Sequence, residues 1–226
     1  LESTGGPGAL AVDDEGAIAV FGNHEVLGVD PDDGDVRWRT EVASRVLAGP
    51  PALGEGVVAI LADDGFEVFD RTTGGRLWRA DSPEIPSAVQ TAGDVVVTAT
   101  YGGSLGVYEV RTGERRWGRV GPGAAAARPA LGAGAGAVVA VFEQGPGRGA
   151  VLTAFDVVSG AQRWATQLEG GASAPAVAGM TVIVGDGDRR IKGFDLASGA
   201  PRWSVPSVGA FESGLEPVVR DGRVVV

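Results

Sequence analysis

The chain is written as short apolar runs separated by clusters of glycine, proline and small polar residues. That pattern predicts many short strands joined by tight turns. The clearest stretch is residues 172–205, where Ala174–Val177, Thr181–Val184, Ile191–Asp195 and Pro201–Ser204 read as four strands. Between them Ala178-Gly179, Gly185–Asp188 and Ala197–Gly199 supply residues that accept positive φ or bond their own backbone, as tight hairpins need. The unit is an antiparallel meander. Gly16–Val20, Gly56–Ile60, Asp94–Val97 and Ala137–Ala140 take the second-strand place in earlier units. They are apolar at successive positions, which predicts burial of both faces, as in sheets stacked on one another.

A repeat underlies these units. Trp38, Trp78, Trp117, Trp164 and Trp203 are separated by 40, 39, 47 and 39 residues. Four residues before each stands a glycine (Gly34, Gly74, Gly113, Gly160, Gly199), and eight before stands an acid (Asp30, Asp70, Glu109, Asp156, Asp195). Five complete units follow, at about 8–42, 47–80, 87–120, 127–168 and 172–205. The longer third interval comes from Glu143–Gly149, an insertion at the turn between the second and third strands of unit four. It is either a passive hairpin or a specificity loop.

The segment Ala154–Trp164 resembles the AxDxxTGxxxW tryptophan-docking motif of PQQ-like repeat β-propellers, and the resemblance runs over nearly the whole chain. The first motif position departs from alanine at Gly28, Val68, Val107 and Gly193, and Glu109 replaces the aspartate in unit three. The resemblance implies an all-β propeller of four-stranded blades in one domain over 1–226, and points to the cofactor-free, BamB-like branch. It also implies that Trp38 through Trp203 lie between blades and stack on the glycine of a neighbouring turn. An indole buries ~150–250 Å², worth about 4–6 kcal/mol gross at ~25 cal/mol per Å². A half blade at 213–226, with strands Glu216–Val219 and Arg223–Val226, and no matching strand in residues 1–7, predict a segment of a larger seven- or eight-bladed propeller.

Charge narrows the partners. The formal net charge is −10 and Lys192 is the single lysine, so nucleic acid would be repelled. There is no cysteine, which excludes disulfides, thiolate metal sites and cysteine nucleophiles. No apolar run is long enough to span a membrane, so no direct membrane insertion is expected of this segment.

The candidate chemistry is thin. A quinone-dependent dehydrogenase of this family would carry an adjacent cysteine pair and calcium ligands that include asparagine. Cysteine is missing, and the one asparagine, Asn23, falls in a predicted hairpin turn. Asp30–Asp35 and Asp186-Gly187-Asp188 cluster carboxylates as calcium loops do, but their spacing fits turns better. His24 is the only histidine and has no nucleophile elbow to serve, and Gly132–Gly136 lacks the lysine of a phosphate loop. Arg115-Arg116 and Arg189-Arg190 read as strand-edge charges that discourage pairing, or as a face for an acidic partner. The expectation is therefore a non-enzymatic scaffold without cofactor or metal, binding a protein of unknown identity in an extracytoplasmic setting at the cell envelope or surface. An extracytoplasmic sensor domain of a membrane serine/threonine kinase is the alternative, and a dehydrogenase the third reading.

Overall fold

The computed structural model describes residues 7–13, 16–21, 24–47, 49–121, 130–134, 136–145, 148–207, 218–220 and 223–225. Asn23, Ala135, Pro146-Gly147, Glu216-Pro217 and Val226 lie outside the described residues, as do 1–6.

Every element among the described residues is a β-strand. The first sheet holds β1 (Pro7–Asp13), β2 (Gly16–Phe21), β3 (Glu25–Val29) and β4 (Val36–Glu41). The second holds β5 (Ala52–Gly54), β6 (Val57–Ala62), β7 (Gly65–Asp70) and β8 (Arg76–Asp81). The third holds β9 (Pro86–Ala92), β10 (Val95–Thr100), β11 (Ser104–Glu109) and β12 (Arg115–Val120). The fourth holds β13 (Ala130–Gly134), β14 (Ala137–Glu143), β15 (Ala150–Asp156) and β16 (Gln162–Leu168). The fifth holds β17 (Ala176–Ala178), β18 (Thr181–Asp186), β19 (Arg190–Asp195) and β20 (Pro201–Pro206). A two-stranded sheet of β21 (Val218–Arg220) and β22 (Arg223–Val225) follows. Each four-stranded sheet is an up-and-down meander in sequence order. Among the described residues the fold is of the β-propeller type, with five four-stranded blades and a two-stranded half blade, as the repeat predicts.

Chain contacts divide the molecule into two compact units, Leu1–Val96 with Tyr108–Glu114 and Val97–Val107 with Arg115–Val226. Within the first, Ile18, Val20, Val26 and Trp38 pack against Val58, Ile60 and Phe69 of the second sheet. Phe66 and Val68 pack in turn against Val89, Val96 and Val110. Within the second unit, Val139, Leu152 and Trp164 pack against Val182, Val184 and Phe194. The core thus lies between successive sheets. That is why the second strands are rich in apolar residues: all six residues of β10, Thr98 and Thr100 among them, and the first six of β14 are buried.

Two local differences from the sequence reading have physical causes. β17 begins at Ala176, where Ala174 was expected. Just upstream, Ser173 Oγ accepts the Gly185 N–H in place of a ladder carbonyl, and Pro175 has no N–H to offer. In addition, the pairing of third and fourth strands slips by one residue in sheets one, two, four and five. The extra residues are Arg37, Leu77, Arg163 and Arg202, each one place before its tryptophan. A bulge of this kind re-aims a side chain out of the ladder.

Candidate functional site

The repeated acid and glycine shape the turn between the third and fourth strands. Asp70 Oδ1 accepts the Thr72 N–H at 3.0 Å, the Thr73 N–H at 2.9 Å and the Thr73 hydroxyl at 3.0 Å. Thr73 Oγ1 then accepts the Gly75 N–H at 3.2 Å. The same relay runs from Glu109 through Thr112, from Asp156 through Ser159 and from Asp195 through Ser198. In the first sheet Asp33 stands where the others have a hydroxyl, and its own carboxylate accepts the Asp35 N–H at 2.9 Å. Glu109 reaches the same two amides as the aspartates do, so the longer side chain leaves the turn intact.

The bulged arginines close these turns from outside. Arg37 bonds Asp30, Arg163 bonds Asp156 at 2.7 Å and Arg202 bonds Asp195 at 2.5 Å. The Arg202 guanidinium, with the hydroxyl and N–H of Ser198, holds the Asp195 carboxyl down to about 2. Arg163 and the Ser159 N–H lower Asp156 in the same way, and Arg37 lowers Asp30. Leu77 occupies the bulge in sheet two. Asp70 is lowered mainly by the Thr73 N–H, with Arg111 of the third sheet at 3.9 Å.

The turns of sheets two to five each also receive an indole from the preceding sheet. The Nε1 of Trp38 donates to the Arg71 carbonyl at 2.8 Å, Trp78 to Val110 at 2.9 Å, Trp117 to Val157 at 2.9 Å and Trp164 to Leu196 at 2.9 Å. In every case the indole lies against the glycine three residues further on. A Cβ on Gly74, Gly113, Gly160 or Gly199 would stand 2.5, 2.6, 2.7 or 2.6 Å from that ring. Their φ values of 70, 75, 67 and 71° are left-handed, a second reason for glycine. Trp38 and Trp164 are buried, Trp78 and Trp117 half-buried. Trp203 lies against Gly193 of its own sheet, as Trp38 does against Gly28, but among the described residues no glycine of a following turn lies against it, and it is 38% exposed. Gly34 has no neighbour within 4 Å of its Cβ position among the described residues.

Sequence reasoning passed over three polar groups. Glu67 is fully buried in β7, accepting the Ala43 N–H at 2.8 Å and Arg76 at 3.1 Å; an acid between Phe66 and Val68 was its signal. Arg71 is buried and pairs with Asp13. Lys192 sits between Asp186 at 2.6 Å and Asp188 at 2.8 Å. Burial acts to lower its pKa, but the two carboxylates outweigh that and raise it. The Asp186–Asp188 turn, with Arg189 at φ 63°, therefore already holds a cation from the chain itself. A cleft of about 430 Å³ opens beside it, lined by Thr166, Leu168, Lys192, Phe194, Arg202 and Trp203. His24 is exposed in the β2–β3 turn. Asp30–Asp35 is the β3–β4 turn, in which Asp30 Oδ1 accepts the Asp32 N–H. Among the described residues, no three histidine, aspartate or glutamate side chains are grouped to hold a metal ion. None contains a helix long and apolar enough to cross a membrane.

Three comparisons bear on this architecture. A family model described as outer membrane protein assembly factor BamB matches residues 2–141 and 123–226. The outer membrane protein assembly factor BamB of Bordetella pertussis is 31% identical over 100 residues, 41% of this chain and 25% of that protein. The chain thus aligns with about a quarter of that relative's length. The crystal structure of BamB from Moraxella catarrhalis superposes with a TM-score of 0.55 at 18% identity, covering 96% of this chain and 78% of that one. At that identity the likeness is one of fold.

Proposed function

The chain belongs to the outer membrane protein assembly factor BamB family, and on that premise we propose that it is a non-catalytic β-propeller scaffold for protein–protein interaction at the cell envelope. The observation that carries this reading is where the repeated polar groups are spent. The acids hold turn amides and arginines, and four indole N–H groups bond carbonyls of the following sheet. Groups so engaged are not poised to abstract protons or carry a redox cofactor. On this reading Trp38, Trp78, Trp117, Trp164 and Trp203, with their glycines and acids, are structural docking residues of a single propeller domain. The loops and outer strands are the binding surface, and the setting is extracytoplasmic. The relatives' name places those proteins in outer-membrane protein assembly, and a role of that kind is the finer form of the proposal.

The test is a pair of titrations on the 226-residue chain. Pyrroloquinoline quinone with calcium should give no saturable absorbance change and no thermal shift. Chemical crosslinking in an envelope fraction should give one discrete, concentration-dependent adduct with a protein. Saturable quinone binding with dye reduction would overturn the scaffold reading.

A further inference from the structure

We infer that the outer edge of β12 is a docking strand for an acidic, extended segment of a protein partner. The inference rests on the scaffold reading and assigns it a surface.

The outer strand of each blade has a hydrogen-bonded neighbour on one side only, and arginine is common there. On four of the five strands every arginine is neutralised by the chain itself. Arg37 pairs with Asp30 and Arg39 with Glu25 on β4; Arg76 with Glu67 and Arg79 with Asp64 and Asp81 on β8. Arg163 pairs with Asp156 on β16 and Arg202 with Asp195 on β20. β12 carries Arg115, Arg116 and Arg119 and no acid. Arg116 stands one place before Trp117, as Arg37, Arg163 and Arg202 stand before theirs, and it is engaged. Arg115 and Arg119 are exposed, with no carboxylate partner among the described residues.

The sequence explains both orphans. Arg76, the counterpart of Arg115, is neutralised by Glu67, eleven residues before Trp78; eleven before Trp117 stands Gly106. Arg119 lies two residues after its tryptophan, where the other strands carry Thr40, Ala80, Thr166 and Val205. The Arg115 guanidinium lies over the backbone of Gly118, and Val120 is 66% exposed at the strand's end. Along a strand, positions 115 and 119 are at most about 13 Å apart.

Toward each end of an edge that no other described strand pairs with stands a cation without a carboxylate partner among the described residues, and such cations select the sign of what pairs there. A fifth strand gains main-chain hydrogen bonds from the edge, and carboxylates opposite the arginines stabilise the pairing. Because the whole chain is acidic, a long polyanion such as nucleic acid is repelled, whereas a short acidic strand answers to the field within a Debye length of about 8–10 Å. The other role of edge arginines is to keep strand edges apart, and that role requires no ligand.

The probe is a fluorescein-labelled, end-blocked peptide of alternating glutamate and valine, seven residues long, titrated with the 226-residue chain and read by anisotropy. Saturable binding is expected, weakened about tenfold or more by R115Q/R119Q and by about 0.5 M salt. A peptide N-methylated at alternate amides should not bind, because it cannot add as a strand. A wild-type chain that ignores the peptide overturns the inference. So does equal binding by R115Q/R119Q, checked for folding by its thermal melt, or equal binding of the N-methylated peptide. The envelope crosslink separates the two proposals: an adduct formed equally by wild type and R115Q/R119Q overturns the β12 assignment while the scaffold reading stands.

Discussion

Gly34 and Gly74 have nearly the same backbone, with φ of 80 and 70°, in equivalent turns. Their surroundings separate two reasons for glycine. At Gly34 only the left-handed conformation opposes a side chain, so Gly34→Ala should cost about 1 kcal/mol. At Gly74 the methyl would also meet the Trp38 ring, 2.5 Å from its ideal position, so Gly74→Ala should cost about 2–4 kcal/mol. Urea unfolding of the two variants measures the difference, and equal midpoints would mean that the Trp38 ring adds nothing to the requirement for glycine at position 74. At this scale the tryptophans, glycines and acids were legible because five copies stand in one register. Glu67 and Lys192 were not, because each is defined by a contact outside its own motif. Glu67 caps a backbone N–H at Ala43, 24 residues upstream. Lys192 fills an apparent cation loop with an ion pair to each aspartate.

Among elements, the bulge before the tryptophan is the feature that sequence left hidden. It adds no residue to the spacing of glycine, acid and tryptophan; it comes from strand register, which one strand alone does not reveal. β8 is the natural test, since Leu77 fills the place held by arginine in β4, β16 and β20. Leu77→Arg should reach Asp70 and stabilise the chain by about 0.2–1 kcal/mol, the range of exposed ion pairs. The sign of its pH dependence follows from Asp70, whose folded pKa is already lowered and would fall further. The gain should be complete above the unfolded carboxyl pKa of about 4, and disappear as pH falls through the lowered folded pKa of Asp70. Unfolding midpoints of both chains between pH 2 and pH 7, to roughly half a unit, would expose a gain that is flat with pH and hence not electrostatic.

At the scale of the whole molecule, burial follows strand position within each sheet. β10 is buried along its full length, while all six residues of β20 are exposed. Amide hydrogen exchange should therefore be slowest in β6, β10, β14 and β18 and fastest in β4, β8, β12, β16 and β20. Uniform protection across a sheet would mean that sheets, not the layers between them, are the cooperative units. This layering was legible in the doubly apolar second strands. The distribution of charge was not, because it depends on which arginines meet carboxylates from other strands. Nine of the 18 arginines lie on the five outer strands against two acids, Glu41 and Asp81, in a chain of net charge −10. The acidity is thus concentrated elsewhere, chiefly in turns.

The indole seats also impose an order in time. Gly74 follows Trp38 by 36 residues, Gly113 follows Trp78 by 35, Gly160 follows Trp117 by 43 and Gly199 follows Trp164 by 35. During synthesis every blade leaves the ribosome with its largest side chain unseated, and is completed only when the next turn has been made. A nascent chain halted between blades always presents one uncovered indole. The growing end therefore stays a sticky template for the next repeat, and for a chaperone that recognises a bare aromatic.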